Sequence, residues 1–523
     1  MARNNNYLNR WMNQPTPQNE ALSGQSQNNA GGYSYTIDSW KQLNRFLVLG
    51  TESGTYYVGQ RKLTTDNVTS VRQCLQEDPY KTVDIIVSIS TGGRAPSNDE
   101  AIFALAMAAS VPEVGARNYA LSKLSAVCRT ATHLFDFLTH IQLMRGWGRS
   151  LRSHVAAWYT EKDPDKLAYQ LVKYRQRNGW THRDVLRKAH PKAQNATMNN
   201  LLQWVTQPDS VDFSKWDYKS EASAMIAAYE FANSGEATQT DLVRLITDIN
   251  LPREALPTEV LTDPVIWKAM LDNKMPMTAM IRNLRNMDNY GVFNDTRYVD
   301  IVCEALESRD NLQYARIHPV AILKAMFSYS GNRAIGDALE SAFYTSFDFV
   351  DPTNKRWNLG IDVSGSMTMG NIAGIPGFTP NIASATMAMV TARSERHYDI
   401  NGFAGQFVPL PITRNTRLNE AMRITQDRSF GRTDCAQPML EALSSGKGYD
   451  VFVIYTDSET WHGRIHPAEA LRDYNSKMGL NAKLIVVGMV ANNFSIADPS
   501  DANMLDVVGF DTQVPQIMAE FVR

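Results

Sequence analysis

The stretch with the clearest chemical capacity is "GIDVSGSM", in which Asp362, Ser364 and Ser366 alternate after an apolar run. Two other turns carry similar side chains, since "GRTD" contains Thr433 and "YTDSET" contains Asp457. Carboxylates and hydroxyls without His or Cys are hard ligands, which suit Mg²⁺ that keeps some waters or takes an external ligand, with Ca²⁺ or Mn²⁺ as alternatives. The predicted metal ligands are Asp362, Ser364, Ser366 and Thr433, with Asp457 acting through water.

Two other interpretations of this turn stay open. Ser364 and Ser366 are typical helix-capping residues, and an Asp often ends a strand for purely local reasons. Such an Asp can also accept a phosphoryl group, but phosphatases of the haloacid dehalogenase type need a second acid two residues later, where this chain has Ser364. His462 and His466 are candidate bases near Asp457, although "WHGRIHP" is typical of a surface loop before a helix. The residues favour a cation-binding turn over a catalytic one.

A second feature is the concentration of positive charge between residues 141 and 192. This stretch holds twelve Lys or Arg and four acids, whereas the whole chain has a net charge of −2. A charged run is usually a solvated face, but here few acids neutralise it, and Tyr174, Trp180 and His182 are interleaved as platforms on which RNA bases could stack. The candidate RNA-binding residues are Lys173, Arg175, Arg177, Arg183, Arg187 and His190, with Arg145 and Arg149 just upstream.

The spacing of these basic residues predicts how they are presented. Lys173 and Arg177 are four residues apart, and Arg183, Arg187 and His190 follow at spacings of four and three, so each set is predicted to share a helix face. The "NGW" between the two sets predicts a turn between helices. Two helices joined in this way would form a basic ridge that contacts phosphates.

The elements that position these residues change character along the chain. Residues 1–32 are rich in Asn and Gln and poor in aliphatic side chains, which predicts a disordered tail. Residues 33–355 have mostly helical periodicity with short breaks, which predicts stacked helix pairs, with an irregular bundle as the alternative. Residues 356–523 alternate β-branched runs with helical segments, which predicts a doubly wound parallel sheet whose strand ends meet at one edge.

Composition sets broad limits. The chain has 523 residues, of which 43% are hydrophobic and 20% charged, as in ordinary soluble proteins of several domains. It has no apolar run long enough to span a membrane and no signal-peptide pattern at its N-terminus, so we expect a cytoplasmic protein that does not contact membranes. Its four cysteines are far apart, which predicts reduced thiols rather than disulfides or a zinc site.

Several longer segments resemble the Ro autoantigen family of TROVE-domain proteins, in its bacterial type. They include "RTATHLF", "MRGWGRSLR", "KYRQRNGWTHRDVLR", "MPMTAMIRNLRNM", "DVSGSM", "GRTDCAQPM" and "YTDSETWHGRIHPAEALR", in family order from about residue 36 to 516. The resemblance implies a multidomain α and α/β fold, in which a HEAT-like helical-repeat ring is closed by a von Willebrand factor type A domain. It implies a non-enzymatic, monomeric RNA-binding scaffold.

The resemblance also implies roles for particular residues and partners. Lys173, Arg177 and His190 match positions that contact phosphates of Y RNA on the outer face, and the metal-ion-dependent adhesion site matches the five predicted ligands named above. Family members take single-stranded 3′ ends of misfolded non-coding RNA into a central hole, which suggests RNA quality control. Bacterial relatives can be tethered through RNA to an exoribonuclease, polynucleotide phosphorylase. An acidic protein ligand at the metal is a further expectation.

This chain departs from the family pattern in two places. The N-terminal tail has no counterpart that we can assign. Arg432 in "GRTD" stands where the family typically has glycine, which puts a cation beside the metal edge and would weaken binding of a cationic partner there.

Overall fold

The computed structural model describes residues 15–50, 68–347, 351–372, 375–426 and 431–523. They form two compact units. The helical unit comprises residues 71–93 and 97–346, and the α/β unit comprises 94–96, the residues from 347 onward and the N-terminal residues up to 70. The helical periodicity predicted for the first part of the chain and the sheet predicted after residue 356 are both confirmed.

The N-terminal residues belong to the α/β unit. Strands β1 (Gln25–Gln27) and β2 (Tyr33–Thr36) pair antiparallel, and helix α1 (Ser39–Leu49) follows. The predicted boundary at residue 33 does not coincide with the division into compact units, because α1 is fastened to the α/β unit by the fully buried Arg45, whose guanidinium lies 2.7 Å from the Asp506 carboxylate. The sequence pattern of α1 is helical, but helicity alone does not say which core a helix joins.

The prediction of a disordered tail over residues 1–32 needs correction where the structure describes it. Residues 1–14 lie outside the described residues, but residues 15–32 pack on the α/β unit, and Gln18 and Asn28 are buried. A low content of aliphatic residues limits apolar burial, but it does not prevent polar side chains from being buried where they find hydrogen-bond partners. Here the polar side chains are buried because loops of the α/β unit supply their hydrogen-bond partners.

The helical unit is built from short helices and one small hairpin. Its helices are α2 (Thr69–Glu77), α3 (Pro79–Gly92), α4 (Asp99–Ala108), α5 (Val114–Ser122), α6 (Leu124–Val127), α7 (Ala131–Met144), α8 (Arg149–Thr160), α9 (Pro164–Lys173), α10 (His182–Ala189), α11 (Ala196–Thr206), α12 (Glu221–Ala232), α13 (Gln239–Ile249), α14 (Pro264–Asp272), α15 (Met277–Asn289), α16 (Thr296–Glu307), α17 (Arg309–Ala315), α18 (Pro319–Ser328) and α19 (Arg333–Thr345). The hairpin strands are β3 (Gln176–Arg177) and β4 (Trp180–Thr181).

The remainder of the α/β unit alternates strands with helices. Its strands are β5 (Arg356–Asp362), β6 (His397–Phe403), β7 (Phe407–Pro409), β8 (Val451–Thr456), β9 (Lys483–Gly488), β10 (Phe494–Ser495) and β11 (Met504–Val508). Its helices are α20 (Pro380–Ser394), α21 (Leu418–Gln426), α22 (Gln437–Ser444), α23 (Pro467–Met478) and α24 (Val514–Val522).

The main sheet has six strands in the order β11-β9-β8-β5-β6-β7. All neighbours are parallel except β7, which pairs antiparallel with β6 at the edge. The β-branched runs predicted after residue 356 correspond to the parallel strands, but β7 was not predicted; its Pro409 is tolerated because an edge strand does not need every backbone N–H. Strand β10 pairs instead with β2.

Helices cover both faces of the main sheet. On one face, Phe452 and Ile454 of β8 pack in a core with Met439 of α22 and Leu471 of α23. On the other face, the Tyr455 hydroxyl lies 3.1 Å from that of Thr391 in α20. Alternate residues of a strand face opposite sides of the sheet, and helices cover both sides. Every residue of β8 is therefore buried, as expected for a doubly wound parallel sheet.

Two expectations from composition can be compared with the described residues. Among these residues, no helix has the length and apolar character needed to cross a membrane. The four cysteines are free thiols; Cys74, Cys128 and Cys435 are buried and Cys303 is half-buried, as predicted.

Candidate functional site

The fold brings the oxygen-bearing turns to the carboxyl edge of the main sheet. Asp362 is the last residue of β5, and Asp457 follows β8, which is the parallel neighbour of β5. The chain turns at Ser364 into a short 3₁₀ helix, Gly365–Thr368. Thr433 lies in the loop that precedes α22. All five predicted metal ligands are buried.

Direct hydrogen bonds join four of these side chains. The Asp362 carboxylate accepts from the backbone N–H of Ser364 at 2.9 Å and from the Thr456 hydroxyl at 2.6 Å. The hydroxyls of Ser364 and Ser366 are 3.2 Å apart, and the Ser366 hydroxyl donates to Asp457. The turn therefore points its oxygens toward both carboxylates, as the sequence predicted.

Thr433 reaches this cluster through the backbone of the loop after β8. Its carbonyl oxygen accepts from the N–H groups of Trp461 at 3.1 Å and His462 at 3.0 Å. The loop containing Thr433 is thus held against the loop that begins at Asp457. The neighbouring Arg432 is exposed, with its guanidinium 3.5 Å from Nε2 of His462, so the predicted cation beside this edge is present.

Burial raises the pKa of both carboxyl groups. For Asp362, burial and the nearby Asp457 charge raise the pKa, and the hydrogen bonds from Ser364 and Thr456 oppose them. For Asp457, burial raises the pKa against the opposing hydrogen bonds from Glu459 and Ser366. No ion pair in the described part of the chain involves either carboxylate. Two buried carboxylates with no cationic side chain are costly, and a bound cation would offset that cost.

The donor chemistry fits a hard divalent cation. The described residues contain no cluster of three or more His, Cys, Asp or Glu side chains that would hold a metal alone. A cation at this edge would therefore depend on the hydroxyls of Ser364, Ser366 and Thr433 as well as on two carboxylates, with water or an external group completing the shell.

The two histidines considered as bases are held by structural contacts. His466, which was expected in a surface loop, is buried; its Nδ1 lies 3.3 Å from the Gln25 amide nitrogen and its Nε2 lies 2.8 Å from the carbonyl oxygen of Glu20. A proton on Nε2 satisfies both contacts. His462 stacks edge-on against Trp461, with ring centroids 5.8 Å apart.

The basic segment, which we define as residues 173–190, does not consist of two helices joined by a turn. Helix α9 ends at Lys173, and Arg177 lies in strand β3 of the hairpin. The predicted helix face shared by Lys173 and Arg177 is therefore wrong. The reason is the dipeptide Asn178-Gly179, whose φ angles of 50° and 78° form a two-residue hairpin turn.

The second half of the basic segment follows the predicted pattern more closely. Arg183 and Arg187 are exposed one helical turn apart on α10. His190 is also exposed, but it caps α10 in the left-handed conformation, with φ 51°, rather than continuing the helix face. Among the described residues, neither Arg183 nor Arg187 takes part in an ion pair, so both guanidinium groups are available to an external anion.

Arg177 is partly neutralised inside the protein. Its Nε lies 3.4 Å from the carboxylate of Asp136 in α7, and the Asn178 amide donates to the same carboxylate at 2.6 Å. About half of the Arg177 side chain remains exposed. Asp136 therefore anchors the hairpin and competes with any phosphate for Arg177.

Aromatic rings surround the remaining cations of the basic segment. Lys173 donates to the Tyr169 hydroxyl at 3.0 Å; burial lowers the pKa of Lys173, but the contacts with Tyr169 and Tyr174 outweigh it and the pKa is raised. The Arg175 guanidinium lies over the Tyr229 ring at 4.6 Å and lines a cavity of about 440 Å³ with Trp204 and Arg183. Burial lowers the pKa of Arg175.

Two of the expected stacking platforms are not available. Trp180 and His182 are buried, because Trp180 packs against Trp147 and His182 contacts the Tyr159 hydroxyl at 2.9 Å. Burial lowers the pKa of His182 to about 4, so it is neutral. Tyr174 is half-buried.

Upstream, Arg149 is exposed at the start of α8 and Arg145 is half-buried at the end of α7. Both were predicted to bind RNA. Burial and the charge of Arg117 lower the pKa of Arg145, which places a third cation in this neighbourhood.

Helix α10 depends on a capping box. The Thr181 hydroxyl accepts from the Asp184 N–H at 3.2 Å, and the Asp184 carboxylate accepts from the Thr181 N–H at 3.0 Å. Thr181→Ala should lower the free energy of unfolding by about 1 kcal/mol, because the first turn loses its cap. Urea denaturation followed by tryptophan fluorescence measures this, with Thr181→Ser as the control that keeps the hydroxyl. Equal stability of wild type and Thr181→Ala would contradict the role of the cap.

Sequence reasoning missed Asp136, Trp204 and Tyr229 as neighbours of the basic segment. They lie on α7, α11 and α12, and nothing in the local sequence signals that they meet Arg175 and Arg177. The Asn178-Gly179 dipeptide is compatible with the predicted turn between helices, but it is also typical of the two-residue hairpin turn that the structure shows.

Comparison with known proteins covers both units. The TROVE domain family matches residues 26–250 and 244–334, and the Ro60 vWA domain family matches residues 356–522. The chain is 42% identical over 523 residues to "RNA-binding protein RO60" of Deinococcus radiodurans, with 97% of each chain covered. It is 33% identical to "RNA-binding protein RO60" of Caenorhabditis elegans, covering 97% of this chain and 91% of that protein.

A solved structure also matches. The crystal structure of the Deinococcus radiodurans RO (RSR) protein superimposes with a TM-score of 0.69 at 40% sequence identity, covering 93% of this chain and 99% of that one. Both relatives compared by sequence are named as RNA-binding proteins.

Proposed function

The chain belongs to the TROVE-domain Ro60 family, and from that premise we propose that it is a non-enzymatic RNA-binding protein whose basic segment contacts RNA phosphates. The observation that carries this proposal is the pair of exposed arginines, Arg183 and Arg187, on α10. Arg forks bind phosphate oxygens in bidentate fashion, and no carboxylate of the described residues pairs with these two.

We propose further that the RNA partners are those of the family resemblance. Y-type RNA would bind the outer basic face through Lys173, Arg177 and His190 together with Arg175, Arg183 and Arg187. Single-stranded 3′ ends of misfolded RNA would bind in a central hole, which gives a role in RNA quality control or processing. The half-buried Tyr229 ring beside Arg175 supports contacts with unpaired bases, since such rings stack on bases of any sequence.

The basic residues differ in whether a carboxylate of the protein already neutralises them, and this difference predicts how much each contributes to RNA binding. Arg177 already has Asp136 as a partner, so RNA must displace or share that carboxylate. Among the described residues, no carboxylate pairs with Arg183 or Arg187, so RNA has none to displace there. We therefore expect the α10 arginines to contribute more affinity than Arg177, although both groups were predicted to bind RNA.

We propose a second binding function at the carboxyl edge of the main sheet. Asp362, Ser364, Ser366, Thr433 and Asp457 would hold Mg²⁺, with Ca²⁺ or Mn²⁺ as alternatives, and the cation would present an open position to an acidic protein ligand. The two buried carboxylates support this proposal, and the exposed Arg432 would favour an acidic partner over a basic one. A phosphatase reaction at Asp362 lacks support, because Ser364 stands where the general acid would be needed.

The remaining parts of the proposal concern cellular context. We propose that the protein acts in the cytoplasm as a monomer and that a bound Y-type RNA tethers it to an exoribonuclease, polynucleotide phosphorylase. Co-purification of the exoribonuclease that disappears after RNase treatment would support an RNA tether. Retention after RNase treatment would contradict it.

The salt dependence of binding tests the RNA proposal. The probe is a hairpin RNA with a single-stranded 3′ tail, and its affinity is measured by fluorescence anisotropy. Each phosphate contact steepens the slope of log K against log salt by about 0.7 to 0.9, so four contacts predict a loss of about 100-fold between 50 and 200 mM salt. The slope should fall by about 1.4 to 1.8 in Arg183→Ala/Arg187→Ala, which removes two contacts. A slope near zero for the wild-type protein would overturn the proposal.

A further inference from the structure

The N-terminal residues that were expected to be disordered contact the loops of the candidate metal site. We call residues 15–36 the N-terminal strap. The strap shares the α/β unit with the main sheet, and β2 within it pairs with β10. Its backbone also contacts a loop of that unit, since the Gln18 N–H donates to the Gly463 carbonyl at 3.1 Å.

The Gln18 side chain of the strap is completely buried. Its amide nitrogen donates to the Asp434 carboxylate at 2.6 Å and to the Ile465 carbonyl at 2.8 Å. Its amide oxygen accepts from the Thr460 hydroxyl. Asp434 follows Thr433 directly, and Thr460 is three residues after Asp457. One neutral amide thus joins the two loops that carry these candidate ligands.

Other strap residues form hydrogen bonds with the loop after β8. Asn28 donates to the Thr460 carbonyl at 2.7 Å, and the Ser34 hydroxyl donates to the Ser458 carbonyl at 2.8 Å. Gly32 approaches so closely that a β-carbon there would lie 2.2 Å from the Thr460 carbonyl oxygen. The strap and the loop are therefore packed backbone to backbone, and a side chain between them would force them apart.

Short connections lead from these contacts to the candidate ligands. Cys435 lies two residues after Thr433, and its backbone N–H donates to the Thr460 hydroxyl at 3.2 Å. The Asn29 amide donates to the Glu459 carboxylate at 2.8 Å, and the Glu459 N–H donates to the Asp457 carboxylate at 3.0 Å. The strap thus contacts each loop within a few residues of a predicted ligand, Thr433 in one loop and Asp457 in the other.

We propose that the N-terminal strap positions the metal-binding loops, with Gln18 fixing the spacing between the loop of Thr433 and the loop of Asp457. The region that matches the vWA family, residues 356–522, is then incomplete as a cation site without residues 15–36. The inference rests on the proposed metal site. It assigns a positioning role to a segment that polar composition alone would leave disordered.

The test compares Mn²⁺ binding by the full-length wild-type chain with that of Gln18→Met, using electron paramagnetic resonance to count free Mn²⁺. Methionine keeps the volume of Gln18 and removes its hydrogen bonds. We expect the Mn²⁺ dissociation constant to rise by about 10-fold or more, as when a residue that orients a metal ligand is replaced. The matched control is Gln27→Met, the same change at an exposed strap position, which should leave Mn²⁺ affinity unchanged.

A milder variant, Asn29→Ala, keeps the inference testable if Gln18→Met folds poorly, because Asn29 is exposed. It should weaken Mn²⁺ binding by a smaller factor and speed hydrogen exchange at residues 457–462. A purely structural strap would lower the melting temperature of both variants and leave their Mn²⁺ affinity unchanged, and that result would overturn the inference while the metal site stands. If wild type binds no Mn²⁺, or if Asp362→Ala binds as well as wild type, the metal-site proposal and the inference both fall.

Discussion

Reversing two charges on α10, with Arg183→Glu/Arg187→Glu, should weaken binding of a tailed hairpin RNA by about 100-fold or more, since a hydrogen bond to a charged group contributes about 1.5 to 3 kcal/mol. Both side chains are exposed and, among the described residues, neither takes part in an ion pair. The wild-type protein therefore breaks no internal ion pair when these arginines bind phosphate. The double variant loses both contacts and adds two repulsive charges. Fluorescence anisotropy at fixed salt gives the affinity.

The control must change the net charge equally without touching the basic segment. Arg244→Glu/Arg333→Glu does so, because both arginines are exposed on other helices, α13 and α19, of the same unit. It should change RNA affinity by less than about threefold through the overall field alone. If both double variants weaken binding equally, the protein binds RNA through its general charge and α10 has no special role.

The contrast between Arg177 and the α10 arginines offers a finer comparison. Arg177→Ala removes a phosphate contact and also leaves Asp136 without its cation. Asp136→Ala frees Arg177 but removes the partner of Asn178, which loosens the hairpin. Because the Arg177 guanidinium is already shared with Asp136, it has less to gain from a phosphate than the unpaired Arg187. We expect Arg177→Ala to cost less RNA affinity than Arg187→Ala, and the opposite order would show that Asp136 releases Arg177 when RNA binds.

The α/β unit was predictable because its signals are local. Each buried β-branched run was followed by a polar turn, and parallel topology alone brings strand ends to one edge. Asp362 and Asp457 were therefore placed at the same edge of the sheet from the sequence, and the structure shows that their strands, β5 and β8, are neighbours. The edge strand β7 was missed because three residues ending in a proline carry almost no strand signal.

The basic segment and the N-terminal strap were harder for physical reasons. A spacing of four residues is compatible with a helix, yet Asn178-Gly179 favours a tight turn strongly enough to end α9 at Lys173. The strap is stabilised by hydrogen bonds such as those of Gln18, whose partners lie more than 400 residues away in sequence. Composition measures apolar burial and cannot register such partners.

Removing one carboxylate by Asp362→Ala should abolish divalent cation binding. Asp362 accepts hydrogen bonds from both the Ser364 backbone and Thr456, so its carboxylate is fixed in the cluster. Its removal leaves Asp457 as the one carboxylate among the five predicted ligands. Loss of a direct ligand should cost more than the roughly 10- to 100-fold typical of an outer residue. Isothermal titration with Mg²⁺ and Mn²⁺ measures the affinity, and the rise in melting temperature that excess Mg²⁺ gives wild type should disappear.

The same variant separates the two proposed functions, because the basic segment and Asp362 belong to different compact units. RNA affinity of Asp362→Ala should stay within about twofold of wild type, since the substitution lies outside the cationic surface that contacts phosphates. Ser364→Ala is the graded comparison: it removes one hydroxyl ligand, keeps both carboxylates and should weaken the cation without abolishing it. Parallel loss of Mg²⁺ and RNA binding in Asp362→Ala, with unchanged secondary structure, would mean that the cation supports the RNA-binding conformation rather than a separate protein ligand.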